Sequence, residues 1–379
     1  MDPNPALRQH QPEYTALTAG ERASFEEALR ERRRLVYDFL EGWPGIARFC
    51  PAQIHDAVLS YIKRRGKALR PALLMFCCGA MGGDEYAALP AAAAVEVYQT
   101  WTLVHDDIID RDRTRRGHPT VHAHYANLAM RDYGLPAPEA GHYGTAVAIL
   151  AGDAQQAWCY ALLAELARRG VDPALVVEFI QRMASWLTPR LLEGEMLDVQ
   201  FSMAPPDELT EQDILSMLTK KTGALLEYAA WCGARIGLAG RPDPHDYAST
   251  LGRFAYLCGT AFQLHDDLLG LTADESVLGK PVGSDLREGK RTLVVFRALA
   301  AASGQDRAEI LSVLGNPQAG PREVERAVAA IRRTGAFDSV VELANSYVGQ
   351  AMQLLAQLPD SPYRALLGSW ARFLLARQH

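Results

Sequence analysis

From Glu21 to Gly42 apolar residues return at Phe25, Ala28, Leu29, Leu35, Val36 and Leu40, the spacing of a helix that buries one face. Alanine- and leucine-rich stretches follow, broken at Pro44, Pro51, Pro71, Pro90, Pro119, the loop from Pro136 to Pro138, Pro173, Pro205 with Pro206, Pro242 with Pro244, and Pro281. Each is a candidate boundary, because proline cannot donate to a helical ladder. Ala91 to Val104 is apolar nearly all round and predicts a central, buried helix; Gly252 to Leu271 reads the same way. No convincing run of alternating apolar and polar residues argues for strands, and no repeat or low-complexity linker divides the chain. The pattern predicts an all-α protein: a loose, flexible N-terminal tail over residues 1–20, then a single large helical domain over 21–379.

Composition narrows the class. Hydrophobic residues at 49% and charged residues at 22% supply a globular core and exclude global disorder. A formal net charge of −6 gives no basis for binding nucleic acid. The basic run Arg30, Arg32, Arg33 and Arg34 is interleaved with Glu27 and Glu31 and reads as a solvated helix face. Six cysteines without a CxxC pair point to a reduced, cytoplasmic setting. Neither a signal peptide nor a bilayer-spanning segment is evident, so any membrane association is expected to be peripheral.

The candidate chemistry begins at Asp106, Asp107 and Asp110, three carboxylates at i, i+1 and i+4 directly after the buried helix. Asp106 and Asp110 share a helix face, one turn apart. A second cluster, Asp266 and Asp267, repeats the arrangement at the end of another apolar helix. Either alone could be an acidic helix end or a surface turn. Carboxylates in apolar surroundings are costly unless solvated or paired, and such oxygen-rich sites suit Mg²⁺ shared with phosphate oxygens. Basic residues beside glycines complete the picture: Lys67 and Arg70 after Gly66, Arg115-Arg116-Gly117, Lys220-Lys221-Thr222-Gly223, and Lys280 after Gly279 with Lys290-Arg291 after Gly289. Together these groups describe a site for substrates carrying several phosphates.

The ordered set Gly-Lys-x-x-Arg-Pro, Asp-Asp-x-x-Asp, Arg-Arg-Gly, Lys-Thr, Phe-Gln-x-x-Asp-Asp and Gly-Lys, spanning roughly Ala57 to Thr292, resembles the trans-isoprenyl diphosphate synthase (polyprenyl synthetase) family. The resemblance implies antiparallel helices around a deep central cavity with the two aspartate clusters facing each other, in a cytoplasmic homodimer. It implies an Mg²⁺-dependent prenyltransferase that joins isopentenyl diphosphate to an allylic diphosphate. Asp106 and Asp110 would bind Mg²⁺ on one wall and Asp266 a third ion opposite, with Asp107, Asp267 and Lys221 completing the catalytic set. Lys67, Arg70, Gln99 and Arg116 match positions for isopentenyl diphosphate. Arg115, Lys221, Thr222, Gln263 and Lys280 match positions for the allylic diphosphate.

Two departures stand out. Gly270 occupies the place of a third aspartate in the second cluster, and Ala68 that of a frequent arginine. Trp101 and Thr102 lie five and four residues before Asp106, roughly 6–8 Å along the helix. There they would form the floor under a growing chain, and an aromatic floor in this family implies fifteen- or twenty-carbon products. His105, His265, His118, His122 and His124 are read as packing or hydrogen-bonding groups, since histidine suits Mg²⁺ poorly. A terpene cyclase on the same scaffold is an alternative, but it has no use for the second diphosphate pocket of Lys67, Arg70 and Arg116. A non-catalytic partner subunit is another, but the first cluster retains Asp106, Asp107 and Asp110.

Overall fold

The apolar run expected to be a central helix forms one, in a computed structural model that describes residues 17–272 and 282–375. The helices in chain order are α1 Ala19–Glu41, α2 Ala52–Lys63, α3 Leu69–Ala80, α4 Leu89–Ile109, α5 Val121–Tyr133, α6 Ala137–Arg168, α7 Pro173–Arg182, α8 Thr188–Met203 and α9 Glu211–Leu218. They continue as α10 Ala224–Leu238, α11 Tyr247–Thr272, α12 Ser284–Arg287, α13 Leu293–Ala301, α14 Gly304–Val313, α15 Pro321–Arg333, α16 Ala336–Leu355 and α17 Pro362–Leu375. The all-α expectation holds. Of the expected tail, residues 1–16 lie outside the described residues, and Ala19 and Gly20 already belong to α1.

One short ribbon departs from helix among the described residues. Thr114–Arg115 pairs antiparallel with His118–Pro119, Arg115 opposite His118. Two residues per strand are too few for alternation to announce it. Its turn holds Arg116 and Gly117 at φ of 53° and 74°, both positive as a type I′ hairpin turn requires. The expected tandem of arginines therefore stands on a fixed hairpin.

The described residues group into two compact units, each assembled from discontinuous stretches. The amino-terminal unit comprises Ser24–Arg182 and Ala229–Ala248. At its centre α4 buries Ala91 to Val95, Val97 and Tyr98 completely and packs on α3 and α6. Small residues set the helix spacing. A methyl group at Gly144 of α6 would overlap the backbone of α5 at His122, and one at Gly233 would overlap the Leu74 carbonyl of α3. Neither backbone can yield without moving a helix, so Gly233→Ala is expected to cost about 1–3 kcal/mol, read as a lower denaturation midpoint in urea.

The carboxy-terminal unit comprises residues 17–23, Met183–Tyr228 and the described residues from Ser249 onward. Its core gathers Ile214 and Leu218 of α9, Leu264 and Leu268 of α11, Leu293 to Val295 of α13, Ile331 of α15 and Val340 of α16. Thr210 starts α9 with a capping box, its hydroxyl accepting from the Asp213 N–H at 3.2 Å while the Asp213 carboxylate accepts from the Thr210 N–H at 2.9 Å. Beyond α9 a π-helical turn, Thr219–Gly223, widens the spiral by one residue, a local irregularity common at functional positions. No helix among the described residues is long and apolar enough to cross a membrane.

Candidate functional site

In the amino-terminal unit, α4 runs through the first acidic cluster rather than stopping before it. Asp106 and Asp107 lie in its last turn, and Asp110 caps its end, the Asp110 N–H donating to the Asp106 carbonyl at 2.8 Å. Carboxylates at the negative end of a helix dipole repel it, and that repulsion favours a cation there. The three aspartates have different surroundings. Asp107 is fully buried, accepting from the Tyr61 hydroxyl and from Arg115 Nε at 2.7 Å. Burial pushes its carboxyl above the usual range, against the pull of Arg115 and Tyr61. Asp107 is thus an anchor for Arg115, whose guanidinium also lies 3.4 Å from Asp106. Asp106 and Asp110 are half-buried and share the face that the spacing predicted.

Lys67 is exposed and Arg70 half-buried in the first turn of α3. The chain reaches them through left-handed residues Arg65 and Ala68, at φ of 46° and 53°. Between these, Gly66 lies in a crowded spot: a Cβ there would lie 3.1 Å from both Arg116 Nη1 and the Tyr37 hydroxyl, and 3.2 Å from Glu96 Oε1. The hairpin arginine Arg116 and the Gly66 loop therefore meet. Gln99 lies half-buried on α4, its carbonyl accepting from Thr102 Oγ1 at 2.9 Å.

The residue expected to form the floor is firmly packed. Trp101 is 4% exposed, with Tyr98 and His105 edge-on to it at ring-centroid distances of 4.9 and 5.9 Å. The His105 ring fills the space of a missing side chain at Gly152 of α6, its Nε2 3.4 Å from the Ile149 carbonyl. That matches the reading of His105 as a packing group. His124 likewise packs on Tyr125 at 5.1 Å, and burial lowers the pKa of His265.

In the carboxy-terminal unit the second cluster also lies within its helix, since α11 continues to Thr272. Asp266 is exposed. Thr222 Oγ1 donates to Gln263 Oε1 at 2.8 Å, and Gln263 Nε2 donates to Asp267 Oδ1 at 2.9 Å, so three expected residues form one relay. Burial, then the nearby carboxylates Asp285, Asp266 and Asp198, push the Asp267 carboxyl well above its ordinary range despite the Gln263 bond. Lys221 is paired with Asp198 at 2.7 Å and Glu195 at 3.0 Å, while Lys220 pairs with Glu193 at 2.7 Å. Gly223, read as part of an anion cradle, packs closely, since a Cβ there would lie 3.1 Å from the Tyr256 ring, and a side chain at Gly194 of α8 would strike the Lys221 backbone. Lys280 lies outside the described residues.

Gly270 has a structural account. A Cβ at that position would lie 2.9 Å from Asp285 Oδ2, so a carboxylate from α12 occupies the space a larger residue would need. Asp285, Asp198 and Glu195 escaped the sequence reading because none belongs to an aspartate pair. The only signal for Asp198 and Glu195 was the acidic spacing of Glu193, Glu195 and Asp198 on one helix.

The donors offered are carboxylate oxygens, the chemistry of a hard cation. Among the described residues no three histidine, cysteine, aspartate or glutamate side chains already converge as a metal cage. One or two carboxylates completed by substrate oxygens is the arrangement Mg²⁺ takes, and Asp106 with Asp110 fit it.

Residues 51–331 match the Polyprenyl synthetase family. A geranylgeranyl diphosphate synthase of Methanosarcina mazei is 35% identical over 329 residues, 87% of this chain and 91% of that protein. A geranylfarnesyl diphosphate synthase of Aeropyrum pernix is 33% identical over 331 residues, covering 86% of this chain and 95% of that protein. Among solved structures, a geranylgeranyl pyrophosphate synthase of Corynebacterium glutamicum, complexed with isoprenyl diphosphate and magnesium, superposes with a TM-score of 0.79 at 29% identity, covering 93% of this chain and 99% of that one. With its Lys-x-x-Arg loop, its hairpin arginines and its two aspartate clusters carried on an all-helical fold that these relatives share nearly end to end, the chain belongs to the polyprenyl synthetase family of prenyltransferases.

Proposed function

We propose that this chain condenses isopentenyl diphosphate head-to-tail with an allylic diphosphate, in an Mg²⁺-dependent reaction, to give a short-chain trans-prenyl diphosphate of twenty or fifteen carbons. The observation that carries this reading is the meeting of Arg116 with the Gly66 loop that bears Lys67 and Arg70. Arg115 pairs with Asp107, and Lys67, Arg70 and Arg116 supply a pocket for a second diphosphate, which a cyclase would not need.

Diphosphate leaves an allylic carbon only when its growing charge is stabilised. Magnesium, when bound, would neutralise part of that charge, with Asp106, Asp110 and Asp266 proposed as its holders. Lys221, Thr222, Gln263 and Lys280 are proposed to grip the allylic diphosphate. Lys221 is itself paired with Asp198 and Glu195. Arg115, anchored by Asp107, faces developing charge with little freedom left to lose. Lys67, Arg70, Gln99 and Arg116 hold isopentenyl diphosphate, whose double bond attacks the allylic cation as the C–O bond breaks. The proton then lost from the adduct passes to the departing diphosphate, so no side-chain nucleophile is required. Apolar residues around Trp101 keep water from the cation. A cytoplasmic homodimer, with all six cysteines free, completes the reading.

The test is incubation of purified protein with Mg²⁺, labelled isopentenyl diphosphate and allylic starters of five, ten and fifteen carbons, with chromatography of the products. Longer diphosphates are expected. Hydrocarbon or alcohol from the starter alone, with no uptake of label, would favour a cyclase and sink the proposal.

A further inference from the structure

Glu96 is the one charged residue between Ala91 and Val104, it is 9% exposed, and the chemistry above gives it no task. Burying a carboxylate in an apolar helix is costly unless it is hydrogen-bonded and paired. The structure supplies the hydrogen bond directly and sets cations around the carboxylate. The Tyr37 hydroxyl of α1 donates to Glu96 Oε1 at 2.5 Å, and Arg116 Nη1, the Tyr37 hydroxyl and Glu96 Oε1 all crowd the space above Gly66. Arg33, one helical turn before Tyr37, donates from Nε to the Gly66 carbonyl and from Nη2 to the Arg65 carbonyl, each at 2.7 Å. Burial raises the Glu96 carboxyl, and this is opposed by the Tyr37 bond and then by the charges of Arg70, Arg116 and Arg33.

Three guanidinium groups gathered near one carboxylate would repel each other without it. A carboxylate has only acceptor oxygens and would itself repel a diphosphate, so its effect on substrate must pass through the arginines. We propose that Glu96, fixed by Tyr37, is a positioning residue that holds Arg116 against the Gly66 loop, which leads into Lys67 and Arg70, for the diphosphate of isopentenyl diphosphate, making α1 a working part of that pocket. This rests on the assignment of that pocket under the proposed function.

The test is steady-state kinetics on the full-length protein, varying each substrate at saturating levels of the other. Glu96→Gln is expected to raise KM for isopentenyl diphosphate about 10- to 100-fold and Tyr37→Phe about 3- to 10-fold, the range for losing a charge-assisted partner. KM for the allylic substrate is expected to stay within about twofold, and Glu96→Asp to recover part of the loss. A merely structural defect would not separate the two Michaelis constants. If Glu96→Gln does not fold, Tyr37→Phe, which removes a single hydroxyl, decides alone. Unchanged KM for isopentenyl diphosphate, or an equal rise for both substrates, overturns the inference. Failure of the wild-type protein to elongate any starter overturns the function instead.

Discussion

Replacing Asp106 with alanine is expected to lower kcat for elongation by about three orders of magnitude while leaving the protein folded. Asp106 is half-buried at the end of α4, so its loss opens no core cavity. It does remove one of two carboxylates on the face where a cation would offset the helix dipole. The stabilisation lost is electrostatic and greatest as the C–O bond breaks, and deleting one such group typically costs 10²–10³-fold or more. Asp107→Asn should behave differently, because that carboxylate is closed off by Tyr61 and Arg115. Its loss leaves Arg115 poorly anchored, and the effect should appear as a weaker grip on the allylic substrate together with lower stability. The check is single-turnover elongation at saturating Mg²⁺ beside a thermal melt. Less than a tenfold loss for Asp106→Ala with an intact melt would remove this aspartate from the machinery.

Trp101→Ala is expected to shift the main product to a longer chain by at least one five-carbon unit. The indole is almost fully buried, with Tyr98 and His105 edge-on to it, and the residue lies on the same helix as the aspartates, on the side away from its carboxyl end. Truncating a buried tryptophan costs about 3–5 kcal/mol, so the variant should be assayed at low temperature, and a lower melting point is part of the expectation. The space opened is apolar, and an extending prenyl chain can occupy it. Product analysis by chromatography decides: an unchanged distribution in a folded variant would mean that Trp101 only packs the core.

The helices were legible because apolar periodicity reports burial directly, as with Phe25, Leu29, Val36 and Leu40 on α1. Their ends were less so. The first acidic cluster was placed after its helix, yet α4 continues through it, since backbone bonding and a buried flanking residue such as Val104 override the poor propensity of aspartate. The aspartates, lysines and arginines of the site were legible as motifs. What escaped were single residues whose role depends on distant partners. Tyr37 reads as one more member of an apolar stripe, and Arg33 as one more solvated cation, although it reaches in to the Gly66 loop. Asp285 carries no local mark at all, and only the folded chain shows it against Gly270.

With Trp101 as the proposed floor, the stacked side chains of α4 would make that helix a graduated ruler. Tyr98, Trp101 and His105 recur at three- and four-residue steps, so each graduation is separated from the next by roughly one pitch of 5.4 Å. Moving the stop is therefore a discrete operation: once Trp101 is cleared, the next bulky ring on that face is Tyr98. Product length in this enzyme should change by notches, each set by one residue, and a continuous range of lengths would require bending the ruler itself.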